Sequence, residues 1–156
     1  MATLHVMHGF IGAGKTTFAK QLEQQTGALR LNLDAWMVAL FGHNPPLDSF
    51  ETHLTAIRAL QWQLACDLLT RGQDIILDYG FWQRAERDRL RAKASALPDV
   101  EIRFYSSSAS RDVMRARALA RNDTLNGETM LIEANTFDTL WPRFEPLGAD
   151  EVATVF

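Results

Sequence analysis

Cysteine is nearly missing from this chain, with Cys66 the only one among 156 residues. An intrachain disulfide and an all-cysteine metal site are therefore excluded. Cys66 reads as a buried, inert thiol in the middle of a helix. Long apolar runs are missing too. The longest candidate, around Ile75–Leu77, has the length of a buried strand, far below the ~18 residues a membrane span needs. Met1-Ala2-Thr3-Leu4-His5 carries no basic patch followed by an apolar stretch, so no secretory signal is expected and a cytoplasmic protein is. His5, His8, His43 and His53 lack metal-ligand spacing, which argues against a zinc site. No repeat, low-complexity tract or long linker divides the sequence, and one domain over residues 1–156 is expected. Nor is there an excess of positive charge. A net charge of −3 speaks against a surface that grips nucleic acid throughout.

What is present is a hydrophobic content of 47%, enough for a real core. Charge is unevenly spread: residues 81–121 hold 10 Lys/Arg against 5 Asp/Glu, while both flanks are acidic. A local cationic region in an acidic protein suits a compact anionic ligand such as a polyphosphate, or simply a solvated helix face. Strand and helix patterns alternate. Thr3–His8, the alternating Leu29–Leu33, Asp74–Leu77, Val100–Tyr105 and Val152–Phe156 read as strands. Lys15–Gln25, Ala35–Phe41, a segment from Ser49 or Thr52 to Arg71, Gln83–Ala96, Arg111–Arg121 and Thr129–Leu140 read as helices, with Gly27, Gly42, Gly72 and Pro98 as stops. Asn44-Pro45-Pro46 and Asn122–Glu128 are loops. Five strands with helices between them imply an α/β fold: a parallel sheet covered on both faces, with ligand-binding loops along one edge.

Gly9-Phe10-Ile11-Gly12-Ala13-Gly14-Lys15-Thr16 matches GxxxxGK[ST] in full, between a predicted strand and a predicted helix. Background composition would produce the match in only about 0.5% of chains this long. Gly9, Gly12 and Gly14 allow backbone angles and approaches that a Cβ would block, so that amides including that of Ala13 curl inward as an anion nest. The helix N-terminus adds positive potential. Lys15 reaches the β- and γ-phosphates of a nucleotide as a point charge, and the Thr16 hydroxyl is a ligand for Mg²⁺. Thr17 is either an α-phosphate donor or a helix-surface residue. Asp78, after Ile75-Ile76-Leu77, is the expected second metal element, acting through a water.

Guanine-nucleotide switches read their base with Asn-Lys-x-Asp, and no asparagine here precedes a lysine. Motor ATPases place a glutamate after the metal aspartate, whereas Asp78 is followed by Tyr79-Gly80. A phosphotransferase needs an acceptor base and a mobile arginine-bearing lid. Asp34 is the candidate base, positioned by the end of the second strand, or the N-cap of the following helix. Arg117 and Arg121, four apart on one helix face, are the candidate clamp, and Arg111 and Arg115 are read as surface. Trp36, Phe41, Trp62, Phe81 and Trp82 line either an acceptor pocket or the core. Arg84 or Arg87 either touches the acceptor or sits on the surface.

These segments, together with Phe81-Trp82, Arg84-Ala85-Glu86-Arg87, Phe144-Glu145-Pro146 and Asp150-Glu151, resemble the small bacterial AAA-type ATP-binding P-loop kinases. The similarity extends more distantly to polynucleotide kinase, chloramphenicol phosphotransferase and zeta toxins. It implies a three-layer P-loop kinase fold with strand order 2-3-1-4-5 and a lid at about residues 111–128. It also implies an ATP- and Mg²⁺-dependent transfer of the γ-phosphate to a hydroxyl, with Asp34 as acceptor base and Arg117 and Arg121 on the nucleotide phosphates. A small-molecule acceptor is expected from the overall acidity. The alternatives are a polynucleotide 5′-hydroxyl and a non-catalytic ATP-binding module that signals to a partner.

Overall fold

The computed structural model describes residues 1–156. Its strands are β1 (Ala2–His8), β2 (Leu29–Asn32), β3 (Ile75–Asp78), β4 (Val100–Ser106) and β5 (Thr154–Val155). Its helices are α1 (Lys15–Thr26), α2 (Leu33–Phe41), α3 (Phe50–Leu69), α4 (Arg84–Ser95), α5 (Arg111–Ala120) and α6 (Ala134–Leu140). The strands form one parallel sheet in the order β2-β3-β1-β4-β5. β1 lies between β3 and β4, and the chain passes from it to opposite sides of the sheet, so the loop after β1 opens at a topological switch point.

β1 is apolar on both faces because helices cover both. Leu4 and Val6 face a core shared with Leu33 and Met37 of α2, Ile57 and Ala65 of α3, and Leu90 and Ala94 of α4. Met7 faces the other way, against Ala19 and Leu22 of α1. Each of the buried Leu, Ile, Val and Met side chains contributes about 1.5–3 kcal/mol. A third cluster joins Phe10 and Ala13 of the glycine-rich loop to Met114 and Ala118 of α5 and Phe137 of α6. Phe10 is fully buried there, with ring centroids of Trp82, Phe137 and Trp141 at 4.6, 4.9 and 5.1 Å. The variable position after Gly9 thus pins the loop to α5 and α6.

Several elements depart from the sequence reading. α2 begins at Leu33 because Asn32, not Asp34, caps it: Asn32 Oδ1 accepts from the Ala35 amide at 2.6 Å. Asp34 is therefore in the first helical turn and does not end a strand. Residues 129–133, expected as helix, form an extended strap. Their backbone groups bond outward instead: the Leu131 amide donates to His43 O at 2.8 Å, Thr129 O pairs with His43 Nδ1 at 2.7 Å, and the Asn122 side chain bonds both the amide and the carbonyl of Ile132. β5 shrinks to two residues at the sheet edge. Cys66 is half-buried rather than buried.

Candidate active site

The loop from Gly9 to Thr16 holds its glycines where side chains are forbidden. Gly12 and Gly14 have φ of +79° and +88°. Gly14 occupies the N-cap of α1 with no side-chain cap, leaving the first amides of the helix free for an anion. Ser107 Oγ, just after β4, donates to Ala13 O at 2.8 Å and steadies the loop. Lys15 Nζ folds back onto Phe10 O at 2.7 Å. Desolvation brings its ammonium down to about 8, against the upward pull of Asp78 and Asp34, so it stays charged at neutral pH. Thr17 is exposed on the rim of the same cavity.

Thr16 and Asp78 meet as the motif predicts, with Thr16 Oγ1 donating to Asp78 Oδ2 at 2.9 Å. The same oxygen receives Asn32 Nδ2 at 2.7 Å and Arg30 Nη1 at 3.1 Å. Asp78 Oδ1 is buried without any partner. One oxygen is saturated and the other is orphaned. A hydroxyl beside an unsatisfied carboxylate oxygen is the donor set of a hard cation that keeps its waters, so these residues fit Mg²⁺.

Asp34, Arg117 and Arg121 come together on one cavity of about 580 Å³, with the phosphate loop at one end. Asp34 makes no hydrogen bond or ion pair of its own. Burial in surrounding protein lifts its carboxyl above the usual range; Asp78 adds to this, and Lys15, Arg121 and Arg58 oppose it. Arg111 and Arg115 are committed to Asp138 at 2.9 Å each, whereas Arg117 and Arg121 have no carboxylate partner. Arg117 Nη1 lies beside Gly14, 3.7 Å from where a Cβ would stand. Burial lowers the Arg121 guanidinium, with Asp34 opposing. Phe81 and Trp82 line the cavity, while Trp36, Phe41 and Trp62 pack on the core.

Arg84 and Arg87 do not reach the cavity. Arg84 is exposed and pairs with Asp150 and Asp88. Arg87 is wholly buried, against both readings of it, and binds Glu151 and the carbonyls of Phe81, Trp82, Glu145 and Pro146. Sequence reasoning passed over Arg30, Asn32, Arg58 and Glu128. Glu128 ties the strap down through Arg30 at 2.5 Å and Lys20 at 2.9 Å. Burial raises its carboxyl, but those two cations outweigh burial and hold it low. Asn32 alone left a signal, as a polar residue ending an apolar strand that precedes a helix.

Residues 4–147 match the AAA domain family. The chain belongs to that family. No curated protein matches it in sequence. Among solved structures, this AAA-domain chain is similar to a candidate kinase from Chloroflexus aurantiacus, at TM-score 0.76 and 19% identity over 99% of this chain and 86% of the other. It is also similar to Kti12 of Chaetomium thermophilum, solved with ADP-AlF3, at TM-score 0.73 and 18% identity over 98% and 88% of the two chains. A gluconokinase from Sinorhizobium meliloti follows at TM-score 0.61 and 14% identity over 99% and 80%. These likenesses establish the P-loop kinase fold, and the observed strand order is the one the resemblance implied. No helix of this AAA-domain chain is long and apolar enough to cross a membrane.

Proposed function

We propose that the protein is an ATP- and Mg²⁺-dependent phosphotransferase that moves the γ-phosphate to a hydroxyl of a small molecule. The observation that carries this reading is the unpartnered Asp34 carboxylate, in the same cavity as the phosphate loop and two unpaired arginines. A water-activating glutamate after Asp78 is lacking, and a free carboxylate facing the donor end suits an alcohol acceptor. Mg²⁺, held by Thr16 directly and by Asp78 through a water, would draw charge from the β- and γ-phosphate oxygens. Loop amides and Lys15 hold the triphosphate tail. Arg117 of α5 and Arg121 just after it meet the transferring oxygens. Asp34 orients the acceptor hydroxyl. The acceptor oxygen bonds to the γ-phosphorus, the bond to the β–γ bridging oxygen breaks, the hydroxyl proton passes to Asp34, and ADP leaves.

The experiment is transfer of labelled γ-phosphate to pools of small alcohols, with Asp34→Asn beside the unaltered protein. The variant is expected to bind ATP with unchanged affinity and to lose transfer by about 10²–10⁴-fold, the range of a general base. Undiminished transfer would leave Asp34 as a residue of the α2 first turn alone.

A further inference from the structure

Away from the phosphate loop, the cavity changes character. Phe50 and Leu54 of α3, Phe81 after β3, and Met130 of the strap present one apolar group, continuous with the core under Leu33 and Tyr79. Ile11, Trp82, Ile132 and Leu140 present another on the side of α5 and α6. The unpaired cations stand elsewhere: Lys15 on the loop, Arg117 on α5, Arg121 just after it, and Arg143 after α6. On the α3 side the only cation is Arg58, and its Nη1 is taken by Glu86 at 2.8 Å. That side offers a second phosphate, a carboxylate or a nucleic-acid backbone this one guanidinium, already paired with an acid and with its Nε buried and unpartnered.

The wall is also held at a cost. Phe81 has φ of +45°, a left-handed conformation that costs an L-residue with a large side chain roughly 1–2 kcal/mol. Its carbonyl and that of Trp82 are both held by the buried Arg87 guanidinium, at 3.0 and 3.1 Å. Its ring is stacked on Tyr79, with centroids 5.3 Å apart. An aromatic residue forced into this backbone, with a buried arginine as buttress, is there to shape the wall. The strap, bonded to His43, lines the same cavity through Thr129, Met130 and Ile132.

Resting on the phosphotransferase reading above, we infer that the acceptor is a compact alcohol with an uncharged apolar or aromatic body, lodged between Phe50, Leu54, Phe81 and Met130. Polyols, phosphorylated alcohols and polynucleotides fit this wall less well. A polyol lodged between those four side chains would leave hydroxyls facing carbon, with Glu51, Gln83 and Glu86 at the edge of the group as the polar partners for the rest. The anionic classes would find on this side only Arg58, already paired with Glu86, and a strand would have no run of cations to follow.

The test uses the full chain saturated with the non-hydrolysable analogue AMP-PNP and Mg²⁺, its binding first measured by calorimetry. Ligand-observed NMR then compares 2-phenylethanol, ribose and an oligothymidylate with a free 5′-hydroxyl. Binding of 2-phenylethanol alone is expected. Leu54→Lys, or Phe50→Ser if the first melts early, should weaken it at least tenfold and leave AMP-PNP affinity within twofold. Preference for ribose or the oligonucleotide, or no binding of 2-phenylethanol to the AMP-PNP complex, overturns the inference. Failure to bind AMP-PNP instead overturns the reading beneath it.

Discussion

A methyl group added at Gly12 would stand 2.0 Å from Met114 O of α5, on a backbone with φ of +79°. Both the space and the angle forbid it. Gly12→Ala should therefore cost about 3 kcal/mol or more in chemical denaturation. Gly27 has a similar φ of +73° in the left-handed region but nothing within 4 Å of its would-be Cβ, so Gly27→Ala should cost only about 1 kcal/mol. Equal losses would mean that the contact with α5 is unimportant. The motif spacing singled out Gly12, Lys15, Thr16 and Asp78 as candidates because the chemistry it implies is local to one loop and one strand end. Arg30, Arg58 and Arg87 gave no such signal. Their partners Asp78, Glu86 and Glu151 are 48, 28 and 64 residues away. A lone arginine in a sequence looks the same whether it is solvated or buried.

Among the elements, the strap shows how tertiary bonds override local pattern. Residues 129–133 have an apolar content that suits a helix, yet their amides and carbonyls find partners at His43 and Asn122. Once these and the Glu128 ion pairs form, a helix would gain nothing. Glu128→Ala removes the links to Arg30 and Lys20. Amide exchange of Leu131 and Ile132 should quicken in that variant while β1 is unchanged. Unaltered exchange would show that the strap is held by His43 and Asn122 alone. α2 gives a second lesson. Its two-residue shift moved Asp34 from strand end to helical turn without taking it from the cavity, because Asn32 capping turns the chain at the same sheet edge. The β3–α4 connection depends on Arg87 and Glu151, which are 0% and 2% exposed as side chains. Arg87→Ala leaves a buried carboxylate with one partner fewer and the carbonyls of Phe81 and Pro146 unmet, so a loss of about 3–5 kcal/mol is expected. A loss below 1 kcal/mol would put the loop's shape elsewhere.

For the molecule as a whole, alternation of strand and helix was enough to foresee a parallel sheet, because each buried apolar strand needs cover on both faces. The shape of the cavity was not foreseeable, since it depends on side chains meeting from β2, β3 and all six helices. Global stability also carries a pH signature. Burial holds the His8 imidazole down at about 4, with Ser106 Oγ on Nδ1 at 2.9 Å and Glu145 O by Nε2 at 3.2 Å. Between roughly pH 6.5 and 4 the unfolded chain takes up a proton that the native state refuses, so stability falls as the pH is lowered through that window. His8 alone accounts for up to about 3 kcal/mol of this loss. Denaturation curves of His8→Asn should be flatter over the same interval; an unchanged slope would assign the effect to other groups. The reading of the site rests in the end on triphosphate capture by the Gly9–Thr16 loop. Titration calorimetry of ATP with Mg²⁺ should give one site per chain, lost in Lys15→Ala with the fold intact by circular dichroism. Absence of heat with the unaltered protein, or full binding by the variant, would contradict it.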